Sequence, residues 1–193
     1  FGFAKGKFVH LALSASLTRP LSRDERHAYG VEKPWGLTPA NGFGGITMRY
    51  TNDHRLLIRQ HIRVAMGQQV STQTTAKIGK HHQALFNSRF PSLPQVTMEN
   101  SWVGYICMSH NGAPLFGKVG TNVWMAACQN GIGVTKGTIG GLLAADMACG
   151  VDNPLIKDME SLGTPSQLPP RPFMDIGARA KINWEIWKNR AEA

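Results

Sequence analysis

The sequence predicts an α+β fold: a mostly antiparallel sheet with a covering helix, plus a separate strand–turn–helix. Three observations predict it. Strand-like and helix-like stretches follow the order strands, helix, strands, helix, tail, rather than strict alternation. Two polar turn signals, Thr51-Asn52-Asp53-His54 and Asn111-Gly112, each separate two apolar runs. The apolar run at 122–127 (NVWMAA) then passes through a glycine-rich bend, 130–141, into a helical pattern at 142–149.

Residues 8–17 (FVHLALSASL) mix alternation with an apolar run and read as a strand ending at Arg19-Pro20. Residues 22–26 read as a polar connector or helical turn. Residues 33–45 hold Pro34, Gly36, Pro39, Gly42, Gly44 and Gly45 around Trp35, which makes a turn-rich loop with one aromatic anchor. Runs 46–50 and 55–62 are strand candidates. The second (RLLIRQHIR from Arg55) also suits a helix start, but the Asn-Asp turn pairs it with the first.

Ser71 is a good N-cap for a helix running to about Phe90, where Pro91 stops it. Its apolar residues Ile78, Leu85 and Phe86 form one stripe, so it should lie on a sheet. Strand character resumes at 96–98 and 102–108, and Asn111-Gly112 should couple 102–109 to 114–119 as a hairpin. After Gly150 the prolines predict an extended connection with little regular structure. Residues 182–190 then suit a last amphipathic helix with Ile182, Ile186 and Trp187 inward.

Composition narrows the function classes. At 193 residues, 42% hydrophobic and 17% charged, the chain suits one domain or most of one, with a real core. Its apolar stretches are short, and the longest contains Asp146, so no transmembrane helix is expected. Residues 1–7 lack the apolar segment of a signal peptide.

The net charge of +9 comes from scattered residues such as Arg49, Arg55, Arg59, Arg63, Lys77 and Lys80. No basic run and no RNA-binding or zinc-finger signature accompanies them. They read as a solvated surface or a face for an acidic segment, with a basic nucleic-acid-binding domain as the contrasting class. Cys107, Cys128 and Cys149 are odd in number and far apart, which fits neither a disulfide framework nor a zinc pattern. A reducing, cytoplasmic compartment is expected. Adjacent His81 and His82 would point to different sides of a helix, so no metal site is expected; an exposed or half-buried structural role is.

The bend carries the most chemistry. A strand turning through glycines into a helix presents unpaired amides, and the helix dipole favours negative charge there. Gly131-x-Gly133-x-x-x-Gly137 is one residue too long for the GxGxxG dinucleotide fingerprint. Asp152, near the distance of the ribose-binding acid, sits in a turn with no strand before it. Lys136 precedes a glycine rather than Ser or Thr, so the P-loop pattern fails too. The competing reading is a helix packed closely on a strand, with glycines for contact alone.

The wider pattern is more specific. Trp102-Val-Gly104, Asn111-Gly-Ala-Pro114-Leu-Phe-Gly117, Asn122-Val-Trp124 and Asn130-Gly-Ile-Gly133 through Asp146 occur in a distinctive order. In order and spacing they resemble the FAD-dependent oxidoreductases related to D-amino-acid oxidase, glycine oxidase and sarcosine oxidase. Leu17-Thr-Arg-Pro20 and Thr51-x-Asp53-x-Arg55 look like that family's substrate-domain strands, and 165–173 is similar to the tail of its amine-type members. In this family the dinucleotide fingerprint lies at the N-terminus. The resemblance therefore implies the C-terminal part of a longer enzyme, or a chain completed by a partner subunit. It also implies three segments: substrate-binding sheet 1–119, flavin-covering strand–turn–helix 120–150 that completes an FAD-binding domain, and a C-terminal tail and helix 151–193.

The resemblance implies an FAD cofactor contacted by Asn130, Gly131, Ile132, Gly133, Val134, Thr135 and Lys136 beside the pyrimidine side of the ring. Lys136 would sit near that ring or a substrate carboxylate, or would simply be an exposed helix-start lysine. The implied reaction is hydride transfer from an amine or amino acid to flavin, giving an imine that water hydrolyses. No catalytic residue is singled out. Relatives that oxidise amino acids place an arginine shortly after the tryptophan-glycine strand; here that stretch is Tyr105-Ile106-Cys107-Met108. The departure favours an amine such as a γ-glutamylated polyamine, with Arg49 or Arg59 as substitute carboxylate partners. Trp102 and Tyr105 would line the substrate pocket or pack within the sheet. Cys107 resembles in position the cysteine that bonds flavin covalently in monomeric sarcosine oxidases, and otherwise reads as a buried thiol. A non-catalytic accessory subunit is the other alternative.

Overall fold

The computed structural model describes residues 2–39 and 43–189, with the side chain of Met66 left aside. Gly42 of the expected loop and Arg190 of the expected last helix lie outside the described residues. The chain divides into two compact units, one formed by Phe1–Leu11 with Ile106–Ala178 and one by Ala12–Tyr105 with Arg179–Ala193.

The second unit is built on a sheet with strand order β2-β3-β4-β1-β5. Its strands are β1 (Val9–Thr18), β2 (Trp35–Leu37), β3 (Thr47–Tyr50), β4 (Leu56–Val64) and β5 (Met98–Met108). β2 with β3 and β3 with β4 are antiparallel. The pairing Tyr50↔Leu56 closes the hairpin expected over residues 51–54. Thr51 Oγ1 accepts from the Arg55 amide at 3.1 Å and stabilises that turn.

One sheet face is covered by α2 (Thr72–Arg89), whose N-cap Ser71 accepts from the Thr74 amide. The core combines Met48, Tyr50, Leu56 and Ile58 from the sheet with Phe86 of α2 and the flanking Leu21, Leu93 and Val96. Burying each such side chain contributes roughly 1.5–3 kcal/mol. Helix α2 ends at Arg89 with Phe90 as its C-cap, just before Pro91, as the proline predicts.

Several expectations need correction. Of the two readings of residues 22–26 the helical one holds, extended to a capped helix, α1 (Arg23–Tyr29), because Ser22 and Glu25 form a reciprocal capping box. The loop around Trp35 contributes edge strand β2, and Trp35 Nε1 donates to Tyr29 Oη at 2.9 Å. Residues 96–98 and 102–108 do not form two strands; residues 98–108 form β5. His82 is fully buried rather than exposed or half-buried, while His81 is exposed.

The first unit holds a two-stranded antiparallel sheet, β6 (Leu115–Gly120) with β7 (Val123–Ala127). Asn111-Gly112 therefore makes no β5–β6 hairpin, because β5 and β6 belong to different sheets. Helix α3 (Gly133–Cys149) begins nine residues before the expected 142, so most of the glycine-rich stretch is helical. Beyond Gly150, α4 (Leu155–Ser161) interrupts the expected extended connection. The last helix, α5 (Phe173–Lys188), starts nine residues before the expected 182. Ile182 is buried, but Trp187 is 55% exposed rather than inward. Among the described residues no helix is long and apolar enough to cross a membrane.

Candidate active site

The bend between β7 and α3 is short and conformationally demanding. Cys128 (φ 56), Asn130 (φ 51) and Gly131 (φ 83) all occupy the left-handed region. For non-glycine residues that conformation persists only where surrounding bonds over-determine it. The Asn130 side chain supplies them. Its Oδ1 accepts from the Ser109 amide (2.8 Å) and the Ser109 hydroxyl (3.3 Å). Its Nδ2 donates to the carbonyls of Gly112 (2.9 Å), Ala113 (3.3 Å) and Cys128 (3.1 Å). The asparagine thus ties the bend to the Asn111-Gly112 turn, and its side chain is spent inward.

Helix α3 opens without a cap. Ile132 is its N-cap and makes no side-chain cap bond, and no acid lies in the first turn. The Ile132 amide donates to Gln129 O at 3.0 Å and the Lys136 amide to Ile132 O at 3.1 Å. The amides of Gly133, Val134 and Thr135 fall between them and, as the first three of the helix, have no intrahelical acceptor. These positions are open: residues 131–135 are exposed, with Ile132 at 52% and Val134 at 86%. Lys136 is half-buried.

The glycines divide by what a side chain would meet. At Gly140 a Cβ would lie 3.1 Å from Ala126 Cβ and 3.5 Å from Met159 Cε, so this glycine serves helix packing on β7 and α4. Gly131 is required by its positive φ. At Gly133 nothing among the described residues lies within 4 Å of an added Cβ and φ is ordinary, so no contact among them explains this glycine.

Two cysteines meet beneath the turn. Cys128 is buried and Cys107 half-buried. The Cys128 thiol donates to Cys107 O at 3.7 Å, with Asn130 Oδ1 at 3.8 Å. Hydrogen bonding from Cys128 holds the Cys107 thiol well below its ordinary value, at about 6, although burial opposes the shift. The same bond pushes Cys128 upward, reinforced by burial and by the Cys107 charge. Nothing in a 21-residue sequence separation announced this contact.

The expected substrate residues lie in the second unit. Register pairs Thr47↔Arg59 and Arg49↔Leu57, while Met48, Tyr50, Leu56 and Ile58 face the core. Arg49 and Arg59 therefore share the opposite face. Arg59 donates to Thr47 Oγ1 at 2.6 Å. Burial first, and then the Arg49 charge, lower its pKa. Among the described residues no carboxylate forms an ion pair with either arginine. Arg49 is exposed and borders β2, where a Cβ on Gly36 would lie 3.7 Å from its Cγ.

Trp102 and Tyr105 are 42% and 39% exposed on β5. Ser101 Oγ lies 2.8 Å from Ser16 Oγ, which in turn bonds His82 of α2, so Ser101 faces α2. Strand alternation then turns Trp102 to the open face shared by Arg49 and Arg59, and Tyr105 to the opposite parity. Three strand spacings, roughly 14 Å, separate β3 from β5. Arg49 thus adjoins Arg59 rather than Trp102. Among the described residues no group of three or more His, Cys, Asp or Glu is placed to hold a metal.

Comparison with known proteins decides the family. The model of the family described as DAO, FAD dependent oxidoreductase, matches residues 8–147. The chain belongs to the FAD-dependent oxidoreductase family. Cofactor use in that family is FAD, in line with the resemblance carried by the motifs.

The probable oxidoreductase OrdL of Haemophilus influenzae is 27% identical over 95 residues, covering 49% of this chain and 22% of that protein. Glycine oxidase from Geobacillus kaustophilus has a similar fold, with a TM-score of 0.57 and 16% identity. That match covers 77% of this chain and 37% of the other. Glycine oxidase from Bacillus cereus gives a TM-score of 0.50 at 15% identity, covering 78% and 40%. At such identities the likeness shows the fold, and the chain spans less than half the length of each of these proteins.

Proposed function

We propose that this chain is the substrate-binding and flavin-covering portion of an FAD-dependent oxidoreductase acting on an amine or amino acid. The observation that carries the reading is the open, uncapped start of α3, where Gly133, Val134 and Thr135 present amides and no contact among the described residues explains the glycine at 133. That donor set fits a flavin: a helix N-terminus stabilises partial negative charge by about 1–2 kcal/mol in a partly buried setting. FAD, when bound, supplies the two-electron acceptor that takes hydride from the substrate C–H.

The residues of this chain would place and neutralise. Gly131, Ile132 and Gly133 leave room for close approach, Lys136 adds a cation beside the amides, and Asn130 holds the bend in shape. Arg49 and Arg59, two neighbouring guanidiniums with no ion-paired carboxylate among the described residues, suit an acid-bearing substrate, either an amino acid or a γ-glutamylated amine. Trp102 offers an apolar wall on the same face. A half-buried Cys107 with thiolate character supports covalent flavin attachment as a variant of this reading. Segment 1–119 would then serve substrate, 120–150 would cover the ring and 151–193 would form the tail. Three unpaired cysteines support a cytoplasmic setting.

The test uses the full-length protein. Under anaerobic conditions a true substrate bleaches the flavin absorbance, and panels of amines, amino acids and γ-glutamyl amines separate the classes. Arg49→Gln and Arg59→Gln should raise KM for acid-bearing substrates about tenfold with a smaller change in kcat. A protein that carries no flavin, or whose flavin no amine or amino acid reduces, would remove the proposal.

A further inference from the structure

We infer that Cys107 and Cys128 form a peroxide-responsive dithiol, with Cys107 as the attacking cysteine and Cys128 as the resolving one. The inference rests on the thiol pair; it replaces the covalent-flavin variant above, since both need the Cys107 sulphur, and does not depend on the rest of the flavin reading.

The two positions differ as the two roles require. Cys107 is half-buried and therefore reachable, whereas Cys128 is 3% exposed. The buried thiol donates toward the Cys107 main chain at 3.7 Å, which places it against the other cysteine rather than elsewhere in the core. Hydrogen bonding between the thiols favours the Cys107 thiolate and disfavours ionisation of Cys128. Thiolate character with access is what makes a cysteine sensitive to oxidants, and a neighbouring thiol turns the first oxidation product into a disulfide.

The chemistry balances with hydrogen peroxide as oxidant. The Cys107 thiolate attacks one peroxide oxygen; an S–O bond forms as the O–O bond breaks. The departing hydroxide takes up the proton released when the thiol ionised and leaves as water. The Cys128 sulphur then displaces hydroxide from the Cys107 sulfenic acid, and that hydroxide leaves with the Cys128 proton as a second water. Two thiols lose two electrons in all, and one peroxide is reduced to two waters.

Oxidation has a structural consequence close by. It removes the S–H that Cys128 directs at Cys107 O and Asn130 Oδ1, in the residue cluster that holds the bend. A thiol reductant would restore it.

Trypsin separates the three cysteines onto peptides 90–118, 119–136 and 137–157. Full-length protein carrying Cys149→Ser would be treated with hydrogen peroxide, alkylated and digested. The expected product is a link between peptides 90–118 and 119–136 that dithiothreitol reverses. In Cys128→Ser the link is lost, and a sulfenic acid on Cys107, trapped by dimedone, should rise at least tenfold over the parent. In Cys107→Ser the Cys128 thiol should stay reduced at the same peroxide dose. Complete alkylation of both thiols after peroxide overturns the proposal, as does persistent Cys107 sulfenic acid without the link. A flavin found bonded to peptide 90–118 overturns it too, since that sulphur would already be occupied.

Discussion

The Ser16 hydroxyl lies 2.7 Å from His82 Nδ1 and ties β1 to α2 inside the second unit. Ser16 also reaches Ser101 of β5 at 2.8 Å, so one hydroxyl links two strands and the covering helix. Among the described residues the other ring nitrogen of His82 is buried without a hydrogen-bond partner, as is Nε2 of His61. The two rings stack with centroids 5.7 Å apart, and His81 stands 4.6 Å from His61.

This cluster predicts an acid-sensitive fold. Burial, then the charges of His61 and His81, hold His82 down at about 4, below its ordinary 6.5. Burial, His81 and Arg63 lower His61 as well. The folded state therefore prefers the neutral rings. That contribution is complete above pH 6.5 and drains away as pH falls toward 4, by on the order of 2–3 kcal/mol for His82. Urea unfolding between pH 4 and 8 should show the loss, and His82→Gln should show less than half of it. An identical pH slope in the variant would contradict the assignment.

The capping box of α1 makes a smaller prediction. The Ser22 amide donates to Glu25 Oε2 at 2.8 Å, and the Glu25 amide to Ser22 Oγ at 3.2 Å. Arg19 adds hydrogen bonds that, with the cap, hold the Glu25 carboxyl down at about 2. Ser22→Ala should lower stability by about 1 kcal/mol in thermal melts. Glu25→Gln should do the same at neutral pH, with the difference from parent shrinking as pH drops from 4.5 toward 2.

Asn130 makes the largest demand on a single side chain. Replacing it by Ala removes the bonds to Ser109, Gly112 and Ala113 and leaves an alanine at φ 51. A loss of about 2–4 kcal/mol is expected from unmet buried polar groups plus strain. Asn130→Gly, which relieves the strain but not the lost bonds, should recover roughly 1 kcal/mol. Chemical denaturation of the pair separates the two contributions.

Gly140 tests the packing of α3 on β7 and α4. A Cβ added at Gly140 would lie 3.1 Å from Ala126 Cβ and 3.5 Å from Met159 Cε, which leaves no room for a branched side chain. Gly140→Val should destabilise by about 1–3 kcal/mol. Gly140→Ala should come close to neutral, because the tight Ala126 contact offsets a helix-propensity gain of about 1 kcal/mol. Thermal melts of both variants would show the ordering.

Much of the fold was legible because local chemistry and tertiary packing agree. The Asn52-Asp53 turn, the Ser71 cap and the Pro91 stop each specify backbone shape within a few residues. Ser22-x-x-Glu25 was equally legible as a capping box, and the short polar run masked it. The start of α3 was harder: glycines at 133, 137, 140 and 141 suggest a loop, but contacts with Ala126 and Met159 favour helix there. Asn111-Gly112 shows the opposite failure. Its turn chemistry was read correctly, yet the next strand pairs with β7, because strand partners are chosen by distant residues. The inward role of Asn130, the Arg49–Arg59 neighbourhood and the Cys107–Cys128 contact arise only when separate elements meet. No local spacing encodes them.

The most direct measurement concerns the flavin midpoint potential in full-length protein carrying Gly133→Val. If the open amides of α3 face the ring, the added side chain pushes them away and reduced flavin loses about 1–2 kcal/mol of stabilisation. The two-electron potential should then fall by roughly 20–40 mV. A variant that binds flavin with unchanged potential and unchanged turnover would show that this helix start faces something else.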